Sequence, residues 1–155
     1  MAIEKVIDYF TSLGAADKIR QFDVSSATVE LAAQALGCEG ARIAKTMSFL
    51  VDGRAVLIVC AGDAKVNSAK FKATFHTKAK MLTAEQLTEL VGHAPGGVCP
   101  FAVNEGCETY LDESLKRFDI VYPAAGNAAS AVELTVEELE RYSNSLGWVD
   151  VCVVP

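Results

Sequence analysis

Two histidines in 155 residues, His76 and His93, leave no histidine–carboxylate spacing of the kind a metal site uses. Five cysteines (Cys38, Cys60, Cys99, Cys107 and Cys152) are odd in number and hold no C-x-x-C, which excludes a cysteine-based zinc site. Most of them lie in apolar surroundings, as reduced cytoplasmic thiols do, so no structural disulfide is expected. The sequence has no G-x-G-x-x-G and no P-loop, hence no signature for a dinucleotide or nucleotide cofactor. The longest apolar run, Ala55 to Ala61, is far too short to cross a bilayer. Met1 to Phe10 carries Glu4, Lys5 and Asp8 and does not read as a signal peptide. There is no internal repeat, no low-complexity tract and no dividing linker. The expectation is one cytoplasmic domain over residues 1–155, free of metal and cofactor, with no membrane partner.

What is present is a hydrophobic chain, 51% apolar and 22% charged, long enough to bury a real core. Its net charge of −6 argues mildly against a nucleic-acid partner, and DNA is not expected as one. The charge is unevenly spread, however. No acidic residue falls between Asp63 and Glu85, where Lys65, Lys70, Lys72, Lys78 and Lys80 cluster. Such a stretch is either a solvated face or a surface that tracks phosphates.

Hydrophobic periodicity predicts a first helix through Ile3, Val6, Ile7, Phe10 and Leu13, stopped by Gly14. A second helix, through Val29, Ala32, Ala33 and Leu36, is capped by Ser25 or Ser26 and ends at Gly37. Arg42 to Ala44 reads as a turn. Lys45–Val51 and Arg54–Ala61 around Asp52-Gly53 read as a β-hairpin whose second strand is central in its sheet. Asn67–Phe75 and the stretch from Thr83 to Val91 read as helices, the latter opened by a Thr83/Gln86 capping box. Short strands are expected at 78–82, 102–104, 108–111, 119–122 and 130–134, with Asp112–Leu115 and Ala124–Asn127 as turns. A Thr135/Glu138 capping box opens a last helix, and Trp148–Val154 closes as a strand. The fold class is α+β: a mixed, largely antiparallel sheet or partial barrel with peripheral helices.

The stretch G-H-A-P-G-G-V-C-P-F (92–101) sets two glycines between two prolines. Gly96 and Gly97 tolerate positive φ and let a ligand approach the backbone, while Pro100 stiffens the exit and holds Cys99 extended. A loop of this kind can offer N–H groups to a carbonyl oxygen as it becomes an oxyanion, or it can be a plain turn. Lys45 shares a strand face with Met47, Phe49 and Val51, a face expected to point inward. There it can set one positive charge beside a bound phosphate, carboxylate or carbonyl, or snorkel to water. Cys99 with His93 would make a thiol hydrolase if a third group oriented the base, and no residue marks that group. The other reading of Cys99 is a small apolar lining residue.

The order A-K-T-M-S-F (44–49), G-D-A-K-V-N (62–67), G-G-V-C-P-F (96–101), Y-L-D-E-S-L (110–115), P-A-A-G (123–126) and V-E-L-T-V-E-E-L (132–139) resembles the YbaK family. These aminoacyl-tRNA editing domains are also found inserted in or appended to bacterial prolyl-tRNA synthetases. The resemblance runs from about residue 25 to the C-terminus. It implies a free-standing hydrolase that cleaves the ester of mischarged tRNA in trans, with the tRNA acceptor end as partner and a synthetase as a second candidate partner. On this reading Lys45 holds the tRNA 3′ end or the substrate, and Gly96, Gly97 and Pro100 belong to the G-x-x-x-P loop that contacts the aminoacyl group. Met47, Val98, Cys99, Phe101 and Gly126 would shape the pocket, and the lysines at 65, 70, 72, 78 and 80 would meet the acceptor stem. Ala124 and Ala131 stand where members acting on Cys-tRNA(Pro) tend to carry a serine and an aspartate. The resemblance therefore implies alanine, serine or threonine as the residue removed. An alternative within the same fold is a module that binds tRNA or a synthetase without turnover. A Cys99/His93 hydrolase would instead lose activity in Cys99→Ala and keep it in Lys45→Ala.

Overall fold

The computed structural model describes residues 2–155. Helix α1 (Ala2–Ser12) buries Ile3, Val6 and Phe10 on one face, and the chain turns at Gly14 with φ +71°. After strand β1 (Ile19–Gln21) comes α2 (Val29–Leu36). Its cap is Thr28, whose Oγ1 accepts from the Leu31 N–H at 3.2 Å, rather than Ser25 or Ser26. Ser25 Oγ accepts from the Ala27 N–H, and Ser26 Oγ is drawn away to the backbone of Ser130. The helix stops at Gly37 in the left-handed region, where a missing Cβ removes the steric cost.

Strands β2 (Ile43–Val51) and β3 (Arg54–Ala61) pair antiparallel in unbroken register from Ala44↔Ala61 to Val51↔Arg54. Asp52 (φ +50°) and Gly53 (φ +79°) form the two-residue turn that matches the strand twist. The single turn of helix before the hairpin is Gly40–Arg42, so β2 starts two residues earlier than Lys45. β3 is buried from Ala55 to Ala61 on both faces and is the centre of the core. β4 (Lys65–Val66) leads into α3 (Ser68–Phe75), capped by the Asn67 side chain. Helix α4 (Ala84–Gln86) starts from the complete Thr83/Gln86 capping box and widens into a π-turn, Leu87–Val91.

The remaining strands are β5 (Glu108–Asp112), β6 (Ile120–Pro123), β7 (Ser130–Val132) and β8 (Leu134–Thr135). They are followed by helix α5 (Val136–Tyr142), then β9 (Trp148–Val149) and β10 (Cys152–Val153). The main sheet runs β8-β6-β2-β3-β5-β9, with two-stranded ladders β1–β7 and β4–β10 beside it. The hairpin, β6–β8, β1–β7 and β4–β10 are antiparallel; β2–β6, β3–β5 and β5–β9 are parallel. The chain thus forms the mixed, curled, largely antiparallel sheet with five helices that the sequence predicts.

Four of the expected strands differ in the structure. Residues 78–82 form no strand and touch the sheet through the single bridge Phe49↔Met81. Residues 102–104 are irregular, because Ala102 takes φ +52° and the Asn104 N–H turns to the Val91 carbonyl. The stretch 130–134 breaks at Glu133, whose N–H bonds to Lys18, so β7 and β8 serve different ladders. The stretch 148–154 breaks where buried Asp112 captures the Val151 N–H.

One feature of β2 positions the site. Its edge away from β3 pairs with β6 only at Ile43 and Ala44. Further on, the same edge meets residues 80–82, through Phe49↔Met81 and the bonds Leu50 N–H to Lys80 O and Leu82 N–H to Ser48 O. Between these two partners, residues 45–47 pair only with β3. The sheet forks there.

Candidate active site

A cavity of about 370 Å³ opens at the fork. Its floor is the β2 face carrying Ala44, Thr46 and Ser48. Val29 and Ala32 of α2, Leu87, Tyr122, Ala124 and Ala131 add mostly apolar walls. Pro95, Gly96 and Val98 close one side, and Lys45 reaches in at the strand edge. Lys45 and Tyr122 are the titratable side chains among the described lining residues.

The glycine loop is a type II turn over Ala94–Gly97. The Gly97 N–H donates to the Ala94 carbonyl at 3.2 Å, Pro95 presets the first corner, and Gly96 takes φ +88° at the second. The N–H groups of Gly96 and Val98 have no protein acceptor among the described residues. Gly97 is needed for a different reason. A Cβ on it would lie 2.5 Å from Asn127 Cα and 2.6 Å from Asn127 N, so the loop rests directly on that backbone.

Lys45 is held from the opposite side. Its Nζ donates to the carbonyls of Gly62, at 3.4 Å, and Ala64. An ammonium has three N–H donors, so one remains for a ligand in the cavity. The turn presenting those carbonyls is pinned by Asp63, which accepts from Arg117 Nη1 at 3.1 Å and Nη2 at 2.6 Å. That guanidinium holds the Asp63 carboxyl below the usual carboxylate range, against its partial burial.

The other predicted residues fall in different places. Met47 lies with Phe49 on the second face of β2 and lines an adjoining cleft of about 310 Å³, which Lys45, Lys65 and Met81 share. Gly97, Cys99, Pro100 and Phe101 are buried behind the loop, Phe101 with its ring 4.9 Å from that of Phe10. Gly126 packs against the start of α1, where an added Cβ would lie 3.0 Å from Ala2 and Ile3 backbone, and it does not line the cavity. Lys65, Lys72, Lys78 and Lys80 are exposed. Lys72 and Lys78 flank a further hollow that shares Ser68 and Ala79 with the adjoining cleft. Lys70 is engaged by Asp150 and the Cys152 carbonyl at 2.9 and 3.0 Å.

Cys99 and His93 do meet, Sγ to Nε2 at 3.5 Å, but in the core rather than at the cavity. Burial pushes the thiol up to about 12, so it stays protonated at neutral pH. Burial pushes the imidazole down, and its Nε2 is 2.8 Å from the Phe101 carbonyl. A thiolate nucleophile therefore has neither charge nor access here. Alkylation of the folded protein followed by mass spectrometry is expected to leave Cys99 unmodified. Cys99→Ala is expected to lose about 1 kcal/mol of stability from the lost packing and to change the protein's activity by no more than about twofold; an inactive, folded Cys99→Ala would reinstate the thiol.

Sequence reasoning missed the hydroxyl groups of the cavity wall: Ser26, Thr28, Thr46, Ser48 and Ser130. Thr46 and Ser48 stand two apart, on one face of a strand whose other residues apart from Lys45 are apolar, which was the available signal. It also missed Gly62, whose carbonyl helps to seat Lys45.

Residues 23–142 match the family model described as the aminoacyl-tRNA editing domain. The chain is 46% identical to the uncharacterized protein YwhH of Bacillus subtilis strain 168 over 153 residues, 98% of each chain. It is 31% identical over 109 residues to the proline–tRNA ligase of Bacillus licheniformis, covering 70% of this chain but only 18% of the ligase. Among solved structures, one of a proposed trans-editing enzyme for prolyl-tRNA synthetase superposes with a TM-score of 0.87 at 27% identity, over 97% of this chain and 96% of that one. Among the described residues no helix is long and apolar enough to cross a membrane. With the motifs in order and the matched model covering most of its length, the chain belongs to the aminoacyl-tRNA editing domain family.

Proposed function

We propose that the protein is a trans-acting deacylase that hydrolyses the ester bond of mischarged tRNA, releasing a small amino acid such as alanine, serine or threonine, with tRNA(Pro) the first carrier to test. The observation that carries this reading is one cavity bounded by two features. On one side stands a turn with unengaged N–H groups at Gly96 and Val98; on the other, an ammonium with one donor to spare. The aminoacyl side chain lies on the β2 face. The ester carbonyl oxygen accepts from the loop amides as it gains negative charge, and Lys45 binds the ribose or the 3′-terminal phosphate side of the ester. Water attacks the carbonyl carbon, the C–O bond to the ribose breaks, and the ribose oxygen leaves with a proton from water. An activated ester needs positioning and oxyanion stabilisation more than a protein nucleophile.

The exposed lysines Lys65, Lys72 and Lys78 continue outward from Lys45 across the adjoining clefts, and they, with exposed Lys80, fit the role of phosphate contacts along the acceptor stem. Lys70, already paired with Asp150, contributes less. A synthetase partner is a further part of this proposal, supported by the likeness to the prolyl-tRNA ligase.

The test is deacylation of a panel: Ala-, Ser-, Thr- and Cys-tRNA(Pro), Ser-tRNA(Thr), Ser-tRNA(Ala) and Thr-tRNA(Val). Hydrolysis of one or two members, with correctly charged Pro-tRNA(Pro) spared, is expected. If every ester survives while the tRNA still binds, the protein is a binding module of the same fold.

A further inference from the structure

We infer that the cavity selects a hydroxyl-bearing aminoacyl group, serine or threonine, over alanine and cysteine, through the Thr46 and Ser48 hydroxyls on its β2 floor. This rests on the deacylase reading above and names the side chain that reading leaves open. Thr46 Oγ1 is buried and has no hydrogen-bond partner among the described residues. Buried hydroxyls in folded proteins almost always have one. Thr46 nonetheless lines the cavity, on the same strand face as Ala44 and Ser48. The Ser48 hydroxyl has no hydrogen-bond partner among the described residues either.

The other hydroxyls around the cavity each already make at least one hydrogen bond. Ser26 Oγ donates to the Ser130 carbonyl and accepts the Ser130 N–H. Ser130 Oγ accepts from the Ala125 N–H and donates to the Asn127 carbonyl. Thr28 Oγ1 caps α2, and the Tyr122 hydroxyl faces Glu133 at 3.4 Å. Among the hydroxyls of the described lining residues, those of Thr46 and Ser48 make no protein hydrogen bond, and they stand apart from the Lys45 ammonium and the loop amides that face the ester. Walls of Val29, Leu87, Val98 and alanines surround this Thr46–Ser48 stripe.

Thr46 Oγ1 has almost no solvent-exposed surface, so the partner that answers it is a polar group seated directly on the β2 floor, toward which the hydroxyl turns. A seryl or threonyl side chain supplies that group. An alanyl methyl leaves both hydroxyls unpaired, and a cysteinyl thiol is a weak partner. Sites that hold a substrate hydroxyl discriminate strongly against analogues that lack it, more strongly than apolar pockets discriminate a methylene. The stripe lies at an open fork of the sheet, so the expected preference is on the order of 10–10² rather than the larger ratios of fully enclosed sites.

The experiment compares kcat/KM for Ser-tRNA(Pro) and Ala-tRNA(Pro) in wild type, Thr46→Val, Thr46→Ser and Thr46→Val/Ser48→Ala. In parallel, the affinities of amide-linked 3′-seryl- and 3′-alanyl-aminoadenosine are measured by calorimetry. Valine is isosteric with threonine and suits a strand position paired with Val59, so the fold should tolerate it. Wild type is expected to favour the seryl ester by about tenfold or more. Thr46→Ser should keep that ratio, and the double variant should bring it to within about threefold of unity, chiefly by losing the seryl reaction. A serine-to-alanine ratio near one in wild type, or one unchanged in the double variant, overturns the inference while leaving the deacylase intact. If no ester is hydrolysed, the deacylase reading fails, and the two analogues still decide the selectivity: equal affinities overturn it.

Discussion

Lys45→Ala is expected to slow single-turnover deacylation by about 10²–10³, the scale on which loss of one preorganised donor at a developing charge is felt. The side chain is half-buried at the strand edge, its Nζ seated on the Gly62 and Ala64 carbonyls beside the cavity. Removing it frees two carbonyls at a site that solvent can reach, so the stability cost is that of about one hydrogen bond, roughly 1 kcal/mol. The melting temperature should fall by only about 2–4 °C for a domain of this size. Lys45→Met separates charge from packing, because it keeps an apolar stem along β2 and loses the ammonium. It should be as slow as the alanine variant and carry the same hydrogen-bond cost, with no further loss from packing. A Lys45→Met protein with wild-type rate would remove Lys45 from the chemistry and leave only the loop amides. The same measurement separates the thiol alternative, in which Lys45 variants stay active.

How much of this was legible follows from the range over which each feature is determined. The hairpin was readable because Asp52-Gly53 specifies its own turn and the flanking runs are strand formers. The two capping boxes at Thr83 and Thr135 are likewise local and are both complete in the structure. The second helix was placed correctly but capped from Thr28, because Ser26 is claimed by Ser130, a partner 104 residues away. The 130–134 and 148–154 strands broke for the same reason, at backbone groups captured by Lys18 and Asp112. The candidate site divides in the same way. Lys45 and the glycine turn carry local signals, whereas the cavity exists because β6 and residues 80–82 meet one edge of β2 at different points. No local pattern reports that fork. Strand alternation pointed to the Met47 face, but β3 and its neighbours bury both faces of the hairpin, and the larger cavity lies on the Thr46 face.

Gly62→Ala is expected to be the most damaging single methyl in the site. A Cβ at that position would lie 2.0 Å from the Gly40 carbonyl oxygen and 2.9 Å from Val29 Cγ1. The first contact is with backbone, so no rotamer change relieves it, and either the Gly40–Arg42 turn or the Gly62–Ala64 turn has to move. Overpacking of this sort costs about 1–3 kcal/mol when side chains can yield, and a backbone clash belongs at or above the top of that range. A cost of about 3 kcal/mol lowers the melting temperature by roughly 6–12 °C in a chain of this length. The displacement also reaches the chemistry, because the Gly62 and Ala64 carbonyls seat the Lys45 ammonium. The folded fraction of Gly62→Ala should therefore deacylate at least about tenfold more slowly, on the principle that small misplacements of positioning groups are felt strongly in rate. Gly53→Ala is the control. Its φ of +79° strains an alanine by about 1 kcal/mol, but nothing lies within 4 Å of the added methyl, and the hairpin tip is remote from the cavity. It should lose a little stability and no activity. Equal stability losses in the two variants with activity intact in both would mean that the Gly62 turn does not position Lys45, and that the lysine finds its place without it.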